Sequence, residues 1–291
     1  TEMAHGVWYP RGGMYQVVEA LLTIAREAGV ELAFHNAVER VDVRAGRAQG
    51  VVLADGRRLA ADVVLANADL PYVYDALLPD GELARPLARK RFSCSVISFF
   101  WGLDRPYPAL GPHTLFLTDD YRGNFEGLAR NEALPEAASL YLHAPARLDP
   151  AMAPAGQDTL TAIVPCGHLA EDREHGQADE QDWGVLRDRA RQMVFQRLAQ
   201  LGLTDVPAHI KFEVAYTPLS WRKRYNLMKG ATHGLCHNLT QLGYFRPGNR
   251  HPRYPNLYFA GASTRPGTGL PTALISARLA AERIMADLQL N

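Results

Sequence analysis

The stretch at residues 256–276, NLYFAGASTRPGTGLPTALIS, constrains the fold of this chain more than any other. Leu257, Tyr258, Phe259 and Ala260 form a short apolar run of the kind that makes a buried strand. The run stops at Gly261, and Gly267 and Gly269 follow. Without a Cβ, such glycines let the backbone lie directly against a flat or anionic ligand. Pro271 suits the first turn of a helix, where its missing N–H would be unpaired anyway. That helix is expected to run to about Leu288, with Ala277, Ala281, Ile284 and Leu288 on one face. Its first N–H groups and its dipole favour an anion or a partial negative charge. Strand, glycine loop and helix start make a cofactor cradle. They also make an ordinary tight turn, and the residues alone leave both open.

Composition narrows the partners. Of 291 residues, 47% are hydrophobic and 21% charged, the profile of a globular protein with one large domain or two smaller ones. Lys plus Arg number 31, as do Asp plus Glu, so no net charge favours nucleic acid. Cys94, Cys166 and Cys236 are odd in number and widely spaced, which suggests neither a disulfide framework nor a zinc ribbon and fits a reducing cytoplasm. The longest apolar run, residues 96–103, is strand-sized, against the roughly 20 residues a membrane span needs.

Elsewhere the pattern is mixed. Gly12 and Gly13 precede a helix expected over residues 14–28, with Met14, Val17, Val18, Leu21, Leu22 and Ala25 as one buried stripe and Gly29 as its left-handed end. Short strands are expected at 30–35, 38–43, 49–53 and 62–67, with a tight turn at Asp55 and Gly56. Strands at 93–101, 114–118, 139–143 and 159–164, a helix at 182–201 and a strand at 209–216 suggest an antiparallel sheet carrying helices.

With these segments in view, the chain resembles the bacterial- and fungal-type phytoene desaturases, FAD-dependent carotenoid dehydrogenases. Gly261, Ala262, Ser263, Thr264, Pro266, Gly267, Thr268, Gly269 and Leu270 match the C-terminal signature of that family in order, and Ser276 falls at its closing small-residue position. Arg265 stands where the family commonly has His; it is permanently charged, so no proton-transfer role carries over to it. The resemblance continues through residues 6–14, 30–67, 141–154 and 225–247 and so covers nearly the whole chain.

The resemblance implies an α/β plus α+β fold, with part of a Rossmann-like FAD-binding domain and an inserted antiparallel-sheet substrate domain. The FAD-binding parts would be residues 1–70 and 221–291, and the substrate domain 71–220. It implies flavin contacts at Gly261, Ala262, Thr264, Pro266, Gly267, Gly269, Leu270 and Pro271, with Val38 meeting the adenine end through its backbone. The reaction implied is oxidation of C–C to C=C in a carotenoid polyene such as phytoene, with hydride transfer to flavin. Such a substrate implies peripheral attachment to a membrane surface. The family's GxGxxG turn, which holds the FAD diphosphate, does not occur in this sequence. The chain is therefore expected to be the C-terminal part of a longer enzyme and to bind FAD poorly alone. Another carotenoid desaturase or isomerase, an amine-oxidase-like flavoenzyme and an inactive fragment stay open as alternatives.

Other candidates carry less. His233 and His237 are four apart, a possible metal pair with Cys236 beside His237, but no HExxH pattern or third ligand is evident, and no metal is expected. Trp8, Tyr9, Phe99, Phe100, Trp101, Tyr141, Tyr244 and Phe245 are tunnel-lining or plain core residues; Arg11, Arg246 and Arg250 are candidate phosphate or carboxylate partners, with Arg11 and Arg246 either flavin-facing or surface cations. Asp69, Asp119 and Asp120 read as loop caps, and no catalytic acid or base can be named.

Overall fold

The computed structural model describes residues 2–79, 81–170 and 179–289. In chain order the strands are β1 (Val38–Arg44), β2 (Arg47–Leu53), β3 (Arg58–Ala60), β4 (Val64–Ala66), β5 (Ser95–Leu103), β6 (His113–Phe116), β7 (Leu140–His143), β8 (Asp158–Cys166), β9 (Ile210–Tyr216) and β10 (Leu257–Phe259). The principal helices are α1 (Tyr15–Glu27), α2 (Gly81–Ala88), α3 (Tyr121–Ala129), α4 (Trp183–Gln200), α5 (Pro218–Tyr225) and α6 (Leu270–Leu288). The chain divides into two compact units. One is Thr1–Phe34, Ile97–Cys166 and Gln181–Thr217; the other is His35–Val96, Gly167–Glu180 and Pro218–Asn291.

This grouping differs from the division expected at residues 70 and 220. Residues 1–34 join the sheet unit because the Gly12 N–H donates to the Asp149 carboxylate at 2.6 Å and Tyr9 meets His143 edge-on at 5.8 Å. Residues 71–96 join the other unit because they supply Val73, Tyr74, Leu77, Leu87 and Phe92 to its core.

The first unit is built on a sheet of order β6-β7-β8-β5-β9. Along β8, buried and half-buried positions alternate without a break, the pattern of a strand whose sheet is covered on one face. Helix α4 turns Ala190, Val194 and Leu198 inward at helical spacing, and Trp101 stacks on Phe195 with ring centres 5.4 Å apart. The indole Nε1 of Trp101 donates to Glu213 at 2.7 Å, and Arg191 grips the same carboxylate at 2.8 and 2.6 Å. Phe100, Leu115, Phe212 and Val214 leave the opposite face apolar and exposed. There Gly102 pairs with Phe212 across the strands, and a Cβ on Gly102 would sit 2.2 Å from the Phe212 ring.

Two expectations fail in this unit. None of the 13 residues of α1 is buried, and Met14, Val18 and Leu21 are exposed. Periodicity marks the face that could be covered, but among the described residues no element closes over it. Residues 30–35 form no strand, because no partner strand supplies a ladder; Gly29 does end the helix at φ +78°.

The second unit holds an antiparallel β1-β2-β3 sheet and a parallel β4–β10 pair. Asn256 ties the two together: its side chain accepts from Ala48 N–H at 3.0 Å and donates to the carbonyls of Ala48 at 2.7 Å and Asp62 at 2.8 Å. Helix α6 buries Ser276 and Ala280 rather than the expected face, since Ala277, Ala281 and Leu288 are exposed. The polar bonds of Ser276, described below, decide which side of that helix turns inward. Among the described residues, no helix is long and apolar enough to cross a membrane.

Candidate cofactor-binding loop

Because β4 and β10 run parallel, their carboxyl ends open at the same place, where open α/β sheets bind ligands. The segment after β4 is bonded to the segment after β10. Asn67 Nδ2 donates to Ala260 O at 3.1 Å, and Ser263 Oγ donates to Asp69 at 2.7 Å. Asp69 also accepts from Met228 N–H at 2.9 Å. Burial pushes its carboxyl above the ordinary range, against the pull of the Ser263, Met228 and Leu70 donors. Asp69 is thus more than a loop cap. It bolts the loop to the end of β4.

The loop backbone departs from what a residue with a Cβ adopts. Gly261, Gly267 and Gly269 have φ of +127°, +138° and +132°, and the Arg265–Pro266 peptide is cis. A Cβ on Gly267 would lie 2.5 Å from His237 Nε2. A buried hydroxyl knot then joins loop to helix. Thr264 Oγ1 donates to Gly261 O at 2.9 Å, the Thr264 and Ser276 hydroxyls share a bond at 3.0 Å, and Gly261 N–H donates to Ser276 Oγ at 3.1 Å.

Arg246, read from sequence as flavin-facing or surface, lies behind this loop and is 1% exposed. Its Nε donates to Thr264 O at 2.9 Å; its Nη1 donates to Cys236 O at 3.3 Å and Gln241 O at 3.2 Å; its Nη2 donates to Leu235 O at 3.2 Å and to Ala262 O. All five N–H donors of the guanidinium therefore go to neutral carbonyls, and among the described residues no carboxylate pairs with it. His237 completes the support by accepting the Thr268 N–H at 3.1 Å through Nε2. Burial, the Arg246 charge and His233 hold its pKa below the usual histidine value, which keeps that acceptor unprotonated.

The residues singled out in the sequence fall into three groups. Thr264 and Gly267 are buried and serve the loop's own structure, whereas Gly269, Leu270 and Pro271 are exposed and Gly261, Ala262 and Pro266 lie between. Val38 opens β1, on a separate sheet of the same unit. Among the described residues Arg265 meets no acid; it donates to Arg246 O at 3.1 Å and Tyr244 O at 2.6 Å, with its guanidinium over the Tyr244 ring. Phe99 and Trp101 are core, while Trp8, Tyr244 and Phe245 are exposed. Sequence reasoning did not find Asn67, Asn256 or the bolting role of Asp69, whose partners stand far along the chain.

The arrangement fits a flat, electron-rich group. Helix α6 begins at Leu270 with Gly269 before it, and among the described residues no side chain caps its N-terminus. Those N–H donors and the buried Arg246 cation put positive potential beside a backbone that carries no Cβ at Gly269.

The sequence profile described as "Flavin containing amine oxidoreductase" matches residues 1–285. The chain is 40% identical over 302 residues to a phytoene desaturase of Fusarium fujikuroi, covering 99% of this chain and 53% of that one. It is 41% identical over 287 residues to a zeta-carotene-forming phytoene desaturase of Myxococcus xanthus, covering 98% and 54%. Among solved structures, an oxidoreductase from Methanosarcina mazei aligns with TM-score 0.60 at 15% identity over 94% of this chain and 55% of that one. An engineered putrescine oxidase aligns with TM-score 0.55 at 16% identity over 94% and 53%. The structural likenesses show the fold, and the chain spans about half the length of the curated relatives it matches.

Proposed function

The chain belongs to the flavin-containing amine oxidoreductase family, and from that premise we propose that it serves in the FAD-dependent desaturation of a carotenoid such as phytoene. The observation that carries this reading is the loop from Gly261 to Pro271, whose glycine backbone and uncapped helix start lie at the carboxyl ends of a parallel strand pair. Gly261, Ala262, Thr264, Pro266, Gly267, Gly269, Leu270 and Pro271 form the flavin-side surface in this reading, and Val38 meets the adenine end through its backbone. Bound there, FAD would supply the redox chemistry for oxidising a C–C bond of the polyene to C=C.

The chain's own part is positional and electrostatic. Gly269 permits close approach, the α6 N-terminus and Arg246 favour negative charge, and Asp69, Ser263 and His237 hold the loop in shape. The unit that contains this loop takes the flavin role, and the antiparallel-sheet unit takes the substrate. The exposed Phe100, Leu115, Phe212 and Val214 supply an apolar surface of the kind a polyene requires. A substrate dissolved in a bilayer makes this a peripheral membrane protein.

The test is to load the protein with FAD, record its flavin spectrum, and incubate it anaerobically with phytoene in liposomes. Bound flavin together with new, longer-wavelength polyene products supports the reading. Bound flavin without a product overturns the desaturation, and flavin uptake that Gly269→Val leaves unchanged overturns the loop assignment.

A further inference from the structure

We propose that the cleft formed by Arg250, Arg265 and Arg283 is a binding site for a phosphate group. The cleft has a volume of about 370 Å³ and is lined by these three residues with Gly248, Asn249 and Leu279, all in the second unit. Among the described residues, one carboxylate, Asp287, pairs with two of these three arginines. Asp287 accepts from Arg283 at 3.0 Å and from the Tyr258 hydroxyl at 3.0 Å, and forms an ion pair with Arg250 at 3.0 Å. Three cations against that one anion leave two positive charges without a carboxylate among the described residues.

The cations are also held in place. Asp287, anchored by Tyr258, fixes Arg250 through Nη1 and Arg283 through Nε, and the Tyr244 and Arg246 carbonyls fix Arg265. Each arginine keeps donors that these bonds do not use: Nη1 of Arg265, both Nη groups of Arg283, and Nε and Nη2 of Arg250. A planar carboxylate is satisfied by one arginine fork, whereas three forks converging from separate elements suit the oxygens of a tetrahedral phosphate. The volume leaves room for the ester group of a headgroup as well as for the free ion.

Two probes separate these sources: inorganic phosphate, titrated calorimetrically at constant ionic strength, and phosphatidylglycerol against phosphatidylcholine vesicles, by co-sedimentation. Saturable binding to either probe, weakened about tenfold in Arg283→Ala and less in Arg283→Lys, is the expected result. Saturation by phosphate alone assigns a free phosphate, and retention on phosphatidylglycerol alone assigns a lipid headgroup. In the unaltered protein, whichever probe binds should also shield Arg283 and Arg250 from arginine-selective dicarbonyl labelling, which does not depend on how a variant folds. No binding of either probe, unchanged affinity in Arg283→Ala, or no shielding overturns the site. Competitive displacement of phosphate by FAD also overturns it, since the cleft would then serve the dinucleotide.

Discussion

Arg246 donates through Nε to the carbonyl of Thr264 at 2.9 Å, so a buried cation, with no acid paired to it among the described residues, holds the loop through its backbone. The loop's shape thus depends on a side chain that precedes it by a full turn-rich segment. Replacing Arg246 by Met removes five donors at once and leaves the Leu235, Gln241, Ala262 and Thr264 carbonyls to find water or go unpaired, while the Cys236 carbonyl keeps its bond from Gln241 Nε2. Arg246→Met is expected to cost about 3–5 kcal/mol in denaturant unfolding, and Arg246→Lys somewhat less. A loss below about 1 kcal/mol would show that the carbonyls do not need it.

Glycine substitutions should separate fold from site. At Gly50, φ is +135° and a Cβ would lie 1.9 Å from the Leu59 carbonyl oxygen, so Gly50→Ala must force β2 and β3 apart. At Gly267 the obstacle is the His237 ring, a side chain able to move. Gly50→Ala is expected to destabilise by more than about 3 kcal/mol, and Gly267→Ala by about 1–3 kcal/mol with a larger proportional loss of flavin affinity. Equal losses of affinity in the two variants would count against the loop as the flavin surface. Thermal unfolding and flavin titration provide the two readouts.

Acid should loosen the loop through His237. Its folded-state pKa lies below the ordinary 6.5, so the unfolded chain takes up the proton more readily. The stability it contributes is fully present above pH 6.5 and is lost as pH falls from there through the depressed folded value. His237→Gln, which has an acceptor but does not titrate, should flatten the stability-versus-pH curve in that window. A curve of unchanged slope would mean that another group is responsible.

Ser263→Ala tests the bolt to Asp69. It removes one of the hydrogen bonds that hold the carboxyl down, so the folded-state pKa of Asp69, already raised, should rise further. For a carboxyl with a raised folded value, stability falls as pH climbs from the unfolded value of 3.8 through the folded one. In Ser263→Ala that falling window should extend to higher pH, with a loss of about 1–2 kcal/mol at neutrality. A carbon-13 titration of the Asp69 carboxyl reads the shift directly, and a downward movement would contradict it.

What the sequence determined by itself was local. The β10–loop–α6 unit was legible because its strand, its positive-φ glycines and its N-terminal proline act within a few residues of one another. The period-2 strands of the five-stranded sheet, helix α4 and the left-handed Gly29 were legible for the same reason. Tertiary structure alone decided which faces were covered and which polar groups were joined. The periodicity of α1 marks a stripe that no described element buries. The inward face of α6 follows from Ser276, which reaches the Gly261 amide and the Thr264 hydroxyl. Arg246 is a buried anchor, not a surface cation, because carbonyls from Leu235 to Thr264 fold around it, and Asp69 meets Ser263 across 194 residues of chain. Backbone preference is set by a residue and its neighbours, whereas burial and hydrogen-bond partners are set by whatever the fold brings alongside.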